Sequence, residues 1–282
     1  MSPTEREKGD EGPSQAQPKS FAAYPERSNS ESEGVLRWDH QDRWIATALT
    51  ALCLFTRLYQ IGKRDACTWD EVHFGKFGAY YINGTFYHDV HPPLAKMLVG
   101  LSEYLSGHNG SFTYTLGSKY PEHVNYVFQR SFMAVIGSLI VPFAYRTCRF
   151  LGFGRPMATM AAAFVLLDNA LCLLSRFILL DPILFCFVSM SLLGYAGFAA
   201  HRRQAFSAGW WWWLAFTGMS LGLAISSKWI GLFVVVLVGL CTIEDLLRIY
   251  SDRTTTARTQ LKHWAARVVC LIFLPLLVYL IS

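Results

Sequence analysis

Residues 229–247 read WIGLFVVVLVGLCTIEDLL, and this stretch decides the class of fold. Positions 229–243 contain no charged residue and are almost entirely apolar. An α-helix rises about 1.5 Å per residue, so about 20 such residues cross the hydrocarbon core of a bilayer. The stretch therefore predicts a membrane-spanning helix.

Comparable apolar blocks recur along the chain. They lie at about 44–61, 131–150, 157–174, 177–200, 209–226, 229–247 and 264–282. The composition agrees, since 52% of the residues are hydrophobic and only 16% are charged, whereas a soluble domain carries about 25% charged residues. We therefore predict an all-α polytopic membrane protein with about seven transmembrane helices.

Basic residues gather in alternate connections between these blocks. They are Arg146, Arg149 and Arg155; His201, Arg202 and Arg203; and Arg248, Arg253, Arg258, Lys262 and Arg267. Short connections rich in Lys and Arg stay in the cytosol, so these three are expected on the cytosolic side, together with the N-terminus. The long connection at 62–129 then faces the lumen. Two glycosylation sequons in it, beginning at Asn83 and Asn109, agree with this orientation and predict N-glycosylation there.

Residues 1–42 are rich in Ser, Glu, Pro, Gly and Lys. Such a segment cannot bury enough apolar surface to offset its ordering entropy, so it is predicted to be a disordered cytosolic tail. The block at 44–61 begins too late and is too long for a cleaved signal peptide, which favours a signal anchor. Arg57, near the far end of this block, is expected to extend its side chain to the membrane surface. Residues 43–282 then form one membrane domain.

The segment 92–105 opens with two prolines, which suit the first turn of a helix. Its apolar residues follow at helical spacing: Leu94, Met97, Leu98, Leu101 and Leu105. The pattern predicts a short amphipathic helix. It either lies on the membrane surface or packs on the helical bundle.

An acidic pair, Asp70 and Glu71, stands in the luminal connection within the stretch WDEVHFG at 69–75. Adjacent carboxylates cannot share one face of a regular element, so they are expected to have different tasks. One can accept a proton as a base, while a cation or hydrogen bonds hold the other. The alternative is a solvated loop or helix N-terminus, where acidic residues are favourable.

A second polar stretch, HDVHPP at 88–93, contains two histidines and one acid. This composition is compatible with a metal site, but no further ligand lies nearby and the two prolines constrain the backbone. A capped helix start with polar contacts to the rest of the loop is the favoured interpretation. We expect no bound metal.

Charged residues at the ends of apolar blocks form a third candidate group. On the predicted topology, the luminal ones are Arg130, Arg176, Asp181 and Lys228. Ionisable residues in a membrane cost a few kcal/mol each and usually mark functional cavities. Three cations and one acid at one depth suit a bound phosphate group. The alternative is structural ion pairing of Arg176 with Asp168 or Asp181.

Four stretches together resemble the dolichyl-phosphate-mannose–protein mannosyltransferases. They are WDEVHFG at 69–75, DVHPPLAK at 89–96, GSF at 110–112 and SRFILLDPIL at 175–184. The resemblance implies a GT-C type glycosyltransferase membrane domain in the endoplasmic reticulum. It also implies transfer of mannose from dolichyl phosphate mannose to Ser or Thr hydroxyls of proteins, with inversion at the anomeric carbon.

The resemblance further implies roles for individual residues. Asp70 corresponds to the general base, Glu71 to its neighbour at the acceptor site, and Arg130 and Lys228 to candidates for binding the lipid phosphate. The remaining candidates for substrate binding are His73, His91, Arg176 and Asp181. The lipid-linked donor is expected to suffice without a cofactor, and a sister mannosyltransferase subunit is expected as partner.

Members of this family continue into a luminal MIR domain and further membrane helices, which are expected to be absent from this chain. A truncated, non-catalytic subunit that stabilises a catalytic partner is therefore the alternative function. A transporter or channel is a third possibility, since it also places charges in membrane helices. It would show internal repeats and helices broken at the midplane, whereas this sequence shows no repeat and its charges gather at one face.

Overall fold

The computed structural model describes residues 37–282, and its regular structure in this range is helical apart from one isolated bridge between Ala66 and Lys119. The α-helices are α1 (His40–Leu58), α2 (Glu71–Ile82), α3 (Leu94–Leu105), α4 (Tyr126–Ser138), α5 (Ile140–Phe150), α6 (Arg155–Leu167), α7 (Asn169–Leu174), α8 (Asp181–Ala200), α9 (Ala208–Ser227), α10 (Leu232–Ser251), α11 (Ala257–Val268) and α12 (Leu274–Ile281). Short 3-10 turns lie at Arg202–Gln204 and Trp229–Gly231, and a π-helical turn at Val269–Phe273 joins α11 to α12.

Helix α1 begins inside the segment predicted to be disordered. Residues 1–36 of that segment lie outside the described range. The side chain of Asp39 accepts a hydrogen bond of 3.0 Å from the backbone N–H of Asp42 and so caps the helix. The last three residues of the predicted tail, 40–42, are therefore helical.

Four helical segments in the described range are long and apolar enough to cross a membrane. They are Tyr126–Phe150, Asp181–Ala200, Trp229–Ser251 and Ala257–Ile281. Helices α1, α6 and α9 occupy the other three predicted blocks; α6 is shorter than these spans, whereas α1 and α9 are long enough but less apolar. The structure thus confirms an all-α, multi-pass membrane protein, whereas the predicted number of seven spans is not confirmed.

The helices form one bundle in which α8 and α9 make the most extensive pairing, with α5 packed on α8 and α12 on α9. Helices α2 and α3 pack on each other at one end of this bundle. We call that end, which carries residues 59–125, the loop face. An apolar cluster that contains Phe74, Val99, Met133 and Ile183 joins α2, α3, α4 and α8 there.

Helix α3 packs on the bundle with one side, where Ala95 and Val99 are fully buried. Its other side is apolar and exposed at Met97, Leu101 and Tyr104. The packed alternative for this segment is therefore confirmed, and its exposed apolar side remains compatible with a position at the membrane surface.

The predicted extension of Arg57 to the membrane surface is wrong. Its side chain is fully buried, with Nε donating to Ser175 Oγ at 3.1 Å and Nη1 contacting Cys53 Sγ at 2.6 Å. Helix α1 ends one residue later, and the Arg176 guanidinium donates hydrogen bonds to its terminal carbonyls. Two arginines thus fix the end of α1 inside the bundle, where a cation also complements the helix dipole.

Candidate functional site

The two acidic residues lie in opposite environments at the start of α2. Asp70 is exposed and precedes the first helical residue, Glu71, which is fully buried. The backbone of Trp69 is left-handed, with φ of 52°, which is uncommon for a residue other than glycine. Its ring packs on Phe177 with a centroid separation of 5.3 Å. Such a conformation costs about 1–3 kcal/mol and persists only where its surroundings impose it.

Glu71 forms a paired ion bridge with Arg130. The Arg130 Nε and Nη2 atoms lie 2.8 Å from Oε1 and Oε2 of Glu71. The same carboxylate accepts hydrogen bonds from Thr68 N (3.0 Å), Ile178 N (3.1 Å) and the Tyr120 hydroxyl (3.2 Å). Both oxygens are therefore fully engaged, and Glu71 ties α2 to α4 and to the turn before α8.

Arg130 is equally committed to protein contacts. Besides Glu71, it donates to the carbonyls of Arg64 and Ala66, and its guanidinium lies over the rings of Tyr126 and Phe177 at 5.0 and 5.3 Å. The side chain is only 1% exposed. These contacts give Arg130 a structural task, and its predicted role at a lipid phosphate stays a prediction without a contact to support it.

A second charged pair lies on the loop face between α8 and the end of α9. The Lys228 Nζ atom lies 2.9 and 3.1 Å from the two carboxylate oxygens of Asp181. It also lies 5.7 Å from the ring centroid of Phe74, one helical turn after Asp70. The acidic pair and the Asp181–Lys228 pair are thus brought to one region of the loop face.

His91 belongs to the same region. Burial lowers its pKa, and the nearby positive charge of Lys228 lowers it further, so its imidazole is neutral near pH 7. Its Nδ1 atom is buried without a hydrogen-bond partner among the described residues. His73 lies on the exposed first turn of α2, three positions after Asp70. Of the two predicted substrate-binding histidines, His73 thus lies on α2 close to Asp70 in sequence, and His91 lies near the Asp181–Lys228 pair.

Arg176 is placed differently from the prediction. Its guanidinium donates to the carbonyls of Thr56 (3.0 Å), Arg57 (2.8 Å) and Tyr59 (2.8 Å). Neither alternative ion pair of Arg176 forms, because Asp168 caps α7 through the N–H of Leu171 (2.7 Å) and Asp181 is bound to Lys228. Arg176 is therefore separated from the Asp181–Lys228 pair.

The stretch 88–93 forms a hydrogen-bonded turn before α3. Lys96 bridges Asp89 Oδ2 (2.9 Å) and the His91 carbonyl (2.6 Å), and Asp89 accepts from the His91 N–H (3.3 Å). Burial raises the pKa of Asp89, but the hydrogen bonds from Lys96 and His91 outweigh it and hold the pKa below its ordinary value. The predicted polar contacts are therefore confirmed, but the predicted helix cap is wrong, because Pro93 precedes α3 and no side chain makes a capping hydrogen bond to it. No group of three His, Cys, Asp or Glu side chains that could hold a metal occurs in residues 37–282.

Sequence reasoning missed the packing behind α2. Gly75 and Gly78 face the Tyr114 ring and the Glu103 carboxylate, which approach so closely that a Cβ at either glycine would overlap them. Glu103 is fully buried and lies 3.0 Å from His108 Nδ1. Burial raises the pKa of Glu103 more than His108 lowers it. The Gly-x-x-Gly spacing on α2 is the sequence signal for this close approach.

Comparisons with known proteins agree with this architecture. A family profile described as dolichyl-phosphate-mannose-protein mannosyltransferase matches residues 47–282. Dolichyl-phosphate-mannose--protein mannosyltransferase 3 of Saccharomyces cerevisiae is 47% identical over 232 residues, which are 82% of this chain and 31% of that protein. Protein O-mannosyl-transferase 2 of Danio rerio is 43% identical over 241 residues, 85% of this chain and 32% of that protein. The chain thus spans about a third of these relatives.

A solved structure shows the same fold. The S. cerevisiae protein O-mannosyltransferase Pmt1-Pmt2 complex bound to the sugar donor matches with a TM-score of 0.86 and 33% identity, over 90% of this chain and 35% of that chain. The helical bundle is therefore that of a GT-C membrane glycosyltransferase. The chain belongs to the dolichyl-phosphate-mannose–protein mannosyltransferase family. The stretch YYIN at 80–83 predicts a resemblance to animal protein O-mannosyltransferase 2, and the Danio rerio protein of that name is among the relatives.

Proposed function

We propose that this chain carries the catalytic loop of a protein O-mannosyltransferase. Mannose passes from dolichyl phosphate mannose to a Ser or Thr hydroxyl of an acceptor protein in the endoplasmic reticulum, and Asp70 is the general base. The observation that carries the proposal is the separation of the acidic pair. Glu71 is buried with both oxygens engaged, whereas Asp70 is exposed beside it.

The chemistry requires one carboxylate base. The acceptor oxygen forms a bond to the anomeric carbon while the bond from that carbon to the phosphate oxygen breaks. Asp70 accepts the hydroxyl proton, and the phosphate leaves with the bonding electrons. A phosphate that leaves with its charge already present needs a cation rather than an acid, so the cationic Lys228 suits the donor side of the site.

Lys228 is the cation that we assign to the donor phosphate. An ammonium has three N–H groups, and the two contacts with Asp181 leave a third for a ligand. Its side chain is 15% exposed, so it is accessible from the loop face. Asp181 then positions Lys228 and moderates its charge before the donor arrives.

Replacing Lys228 tests this assignment. We expect Lys228→Gln, made at the matching position of a full-length relative expressed with its sister subunit, to lower kcat/KM for the lipid donor about 10–100-fold. A charge-assisted hydrogen bond contributes about 1.5–3 kcal/mol, and the loss of that free energy corresponds to a decrease of this size. The KM for the acceptor peptide should stay unchanged. Lys76→Gln removes an exposed cation of the same loop and serves as control. An unaltered donor KM in Lys228→Gln would place the phosphate elsewhere.

The proposed orientation puts the loop face in the lumen of the endoplasmic reticulum and the N-terminus in the cytosol. Both sequon asparagines, Asn83 and Asn109, are exposed on the loop face. We expect endoglycosidase H to increase the gel mobility of the expressed chain, and the double variant Asn83→Gln/Asn109→Gln to abolish this shift. Protection of the loop from added protease in intact microsomes is the second readout. A cleaved, unglycosylated loop would reverse the orientation.

A sister mannosyltransferase subunit is the proposed partner. The matched solved structure is a Pmt1-Pmt2 complex, in which two family members assemble. The acceptor protein and the dolichol lipid are the other proposed ligands, and no cofactor is needed for the steps above. The exposed Asp70 carboxylate, on the same face of the bundle as Lys228, favours a catalytic chain over the non-catalytic alternative, because a purely stabilising subunit has no need of this arrangement.

A further inference from the structure

The loop face contains a cavity whose lining includes Arg130, itself paired with Glu71, but neither Asp70 nor the Asp181–Lys228 pair. It has a volume of about 690 Å³ and lies between the residues that follow α1, the helix α7 and the turn that precedes α8. The part of the chain that the structure describes contributes none of Asp181, Lys228 or His91 to its lining. We propose that this cavity binds the phosphate of an anionic membrane lipid.

The charge of the cavity is positive. Lys63, Arg64 and Arg176 line it, and no carboxylate of residues 37–282 lies within salt-bridge distance of these three side chains. Arg176 is bonded only to neutral carbonyls, so its charge is not cancelled. The one acid in the lining is Asp65, which pairs with Lys119 at 3.3 Å. An uncompensated group of cations attracts a phosphate.

The floor of the cavity is apolar. Ile61, Leu173 and Phe177 line it together with the cations. Tyr59 lines it as well, and its ring contacts that of Phe55 on α1 in a tilted arrangement, at a centroid separation of 5.7 Å. Phe55 is 63% exposed on this predicted membrane helix. The cavity is therefore continuous with a lipid-facing surface along which acyl chains can lie.

This combination favours a lipid over an acidic peptide. An acidic peptide would pair with the cations, but it would leave the exposed aromatic residues that continue toward the membrane without an apolar partner. A phospholipid matches both features, because its phosphate sits at the depth where a spanning helix ends and its chains follow the helix surface. The cavity thus suits a phospholipid of the leaflet on the loop face, held beside the end of α1.

The test measures lipid retention by the expressed, detergent-purified protein in native mass spectrometry, with phosphatidic acid as probe and phosphatidylcholine as zwitterionic reference. We expect Lys63→Gln/Arg64→Gln to retain phosphatidic acid about tenfold more weakly, as befits the loss of two cations beside an anionic lipid. Both side chains are exposed, so the variant should fold, and size-exclusion elution checks this. Lys76→Gln/Lys262→Gln removes the same charge at other exposed positions and should bind like the parent protein.

Three outcomes would overturn the proposal. Equal retention of phosphatidic acid by the parent protein and Lys63→Gln/Arg64→Gln would show that the cavity is not the site, and an equal loss in the control variant would show general charge attraction. Full competition by inorganic phosphate or by an acidic peptide would show a site that does not select lipid. The measurement involves no mannose transfer, so its result is independent of the proposed enzymatic function.

Discussion

Replacing Asp70 with Asn is expected to lower the rate of mannose transfer about 10²–10⁴-fold, the usual contribution of general base catalysis. A Ser or Thr hydroxyl is a poor nucleophile unless its proton is accepted as the new bond forms. Asp70 is the exposed carboxylate of the pair, and an amide at this position cannot accept that proton. The rate should be measured with a fixed acceptor peptide and dolichyl phosphate mannose, in a full-length relative expressed with its sister subunit.

The expected loss lies in kcat rather than in folding. The Asp70 side chain makes no capping hydrogen bond to α2, so Asp70→Asn removes no structural contact of this kind. Expression, membrane insertion and partner association should therefore match the unmodified protein. Glu122→Gln neutralises another exposed acid of the same loop and should retain full activity. If the sister subunit has its own active site, the matching change is made there too. Near-normal turnover after replacement of both Asp70 and the matching aspartate of the sister subunit would show that Asp70 is not the general base.

Glu71→Gln is expected to act on stability instead. The change leaves the buried Arg130 guanidinium without its carboxylate, and breaking a buried ion pair from one side costs about 3–5 kcal/mol. Thr68 N and Ile178 N donate to different oxygens of Glu71, so the NH2 group of the amide would oppose one of these two backbone N–H groups. After heating, fluorescence-detected size-exclusion chromatography should show a marked loss of monodisperse Glu71→Gln protein relative to the parent protein.

A double replacement separates a structural role of Glu71 from a catalytic one. Glu71→Gln/Arg130→Met removes both charges, so no unpaired buried cation remains and part of the lost stability should return. Glu122→Gln again serves as control and should melt like the parent protein. A Glu71→Gln variant that is fully stable yet inactive would instead assign Glu71 to the substrate.

The helical architecture follows from local sequence because hydrophobic periodicity and length are local properties. The block at 229–247 predicts the span Trp229–Ser251 nearly to its ends. The different tasks of Asp70 and Glu71 also follow from their adjacency, since neighbouring side chains point in different directions. The span count is not confirmed, because the polar residues Asp168 and Asn169 divide the predicted block at 157–174 into the two short helices α6 and α7.

The partners of the charged residues could not be predicted, because they are distant in sequence. Glu71 and Arg130 are 59 positions apart, and Asp181 and Lys228 are 47 apart. Each residue has several oppositely charged candidates in the chain, and only the tertiary fold selects one. The burial of Arg57 is a similar case, since its environment depends on Ser175 from another helix.

The anomeric configuration of the mannosylated product tests most directly whether a single carboxylate, Asp70, serves the reaction. The product peptide, formed by a full-length relative and its sister subunit, can be analysed by proton NMR and compared with the donor. Direct displacement with Asp70 as base inverts the anomeric carbon, so the product should have the configuration opposite to that of dolichyl phosphate mannose. A retained configuration would exclude direct displacement, as it does for retaining glycosidases, and would contradict the assignment of Asp70 as the general base.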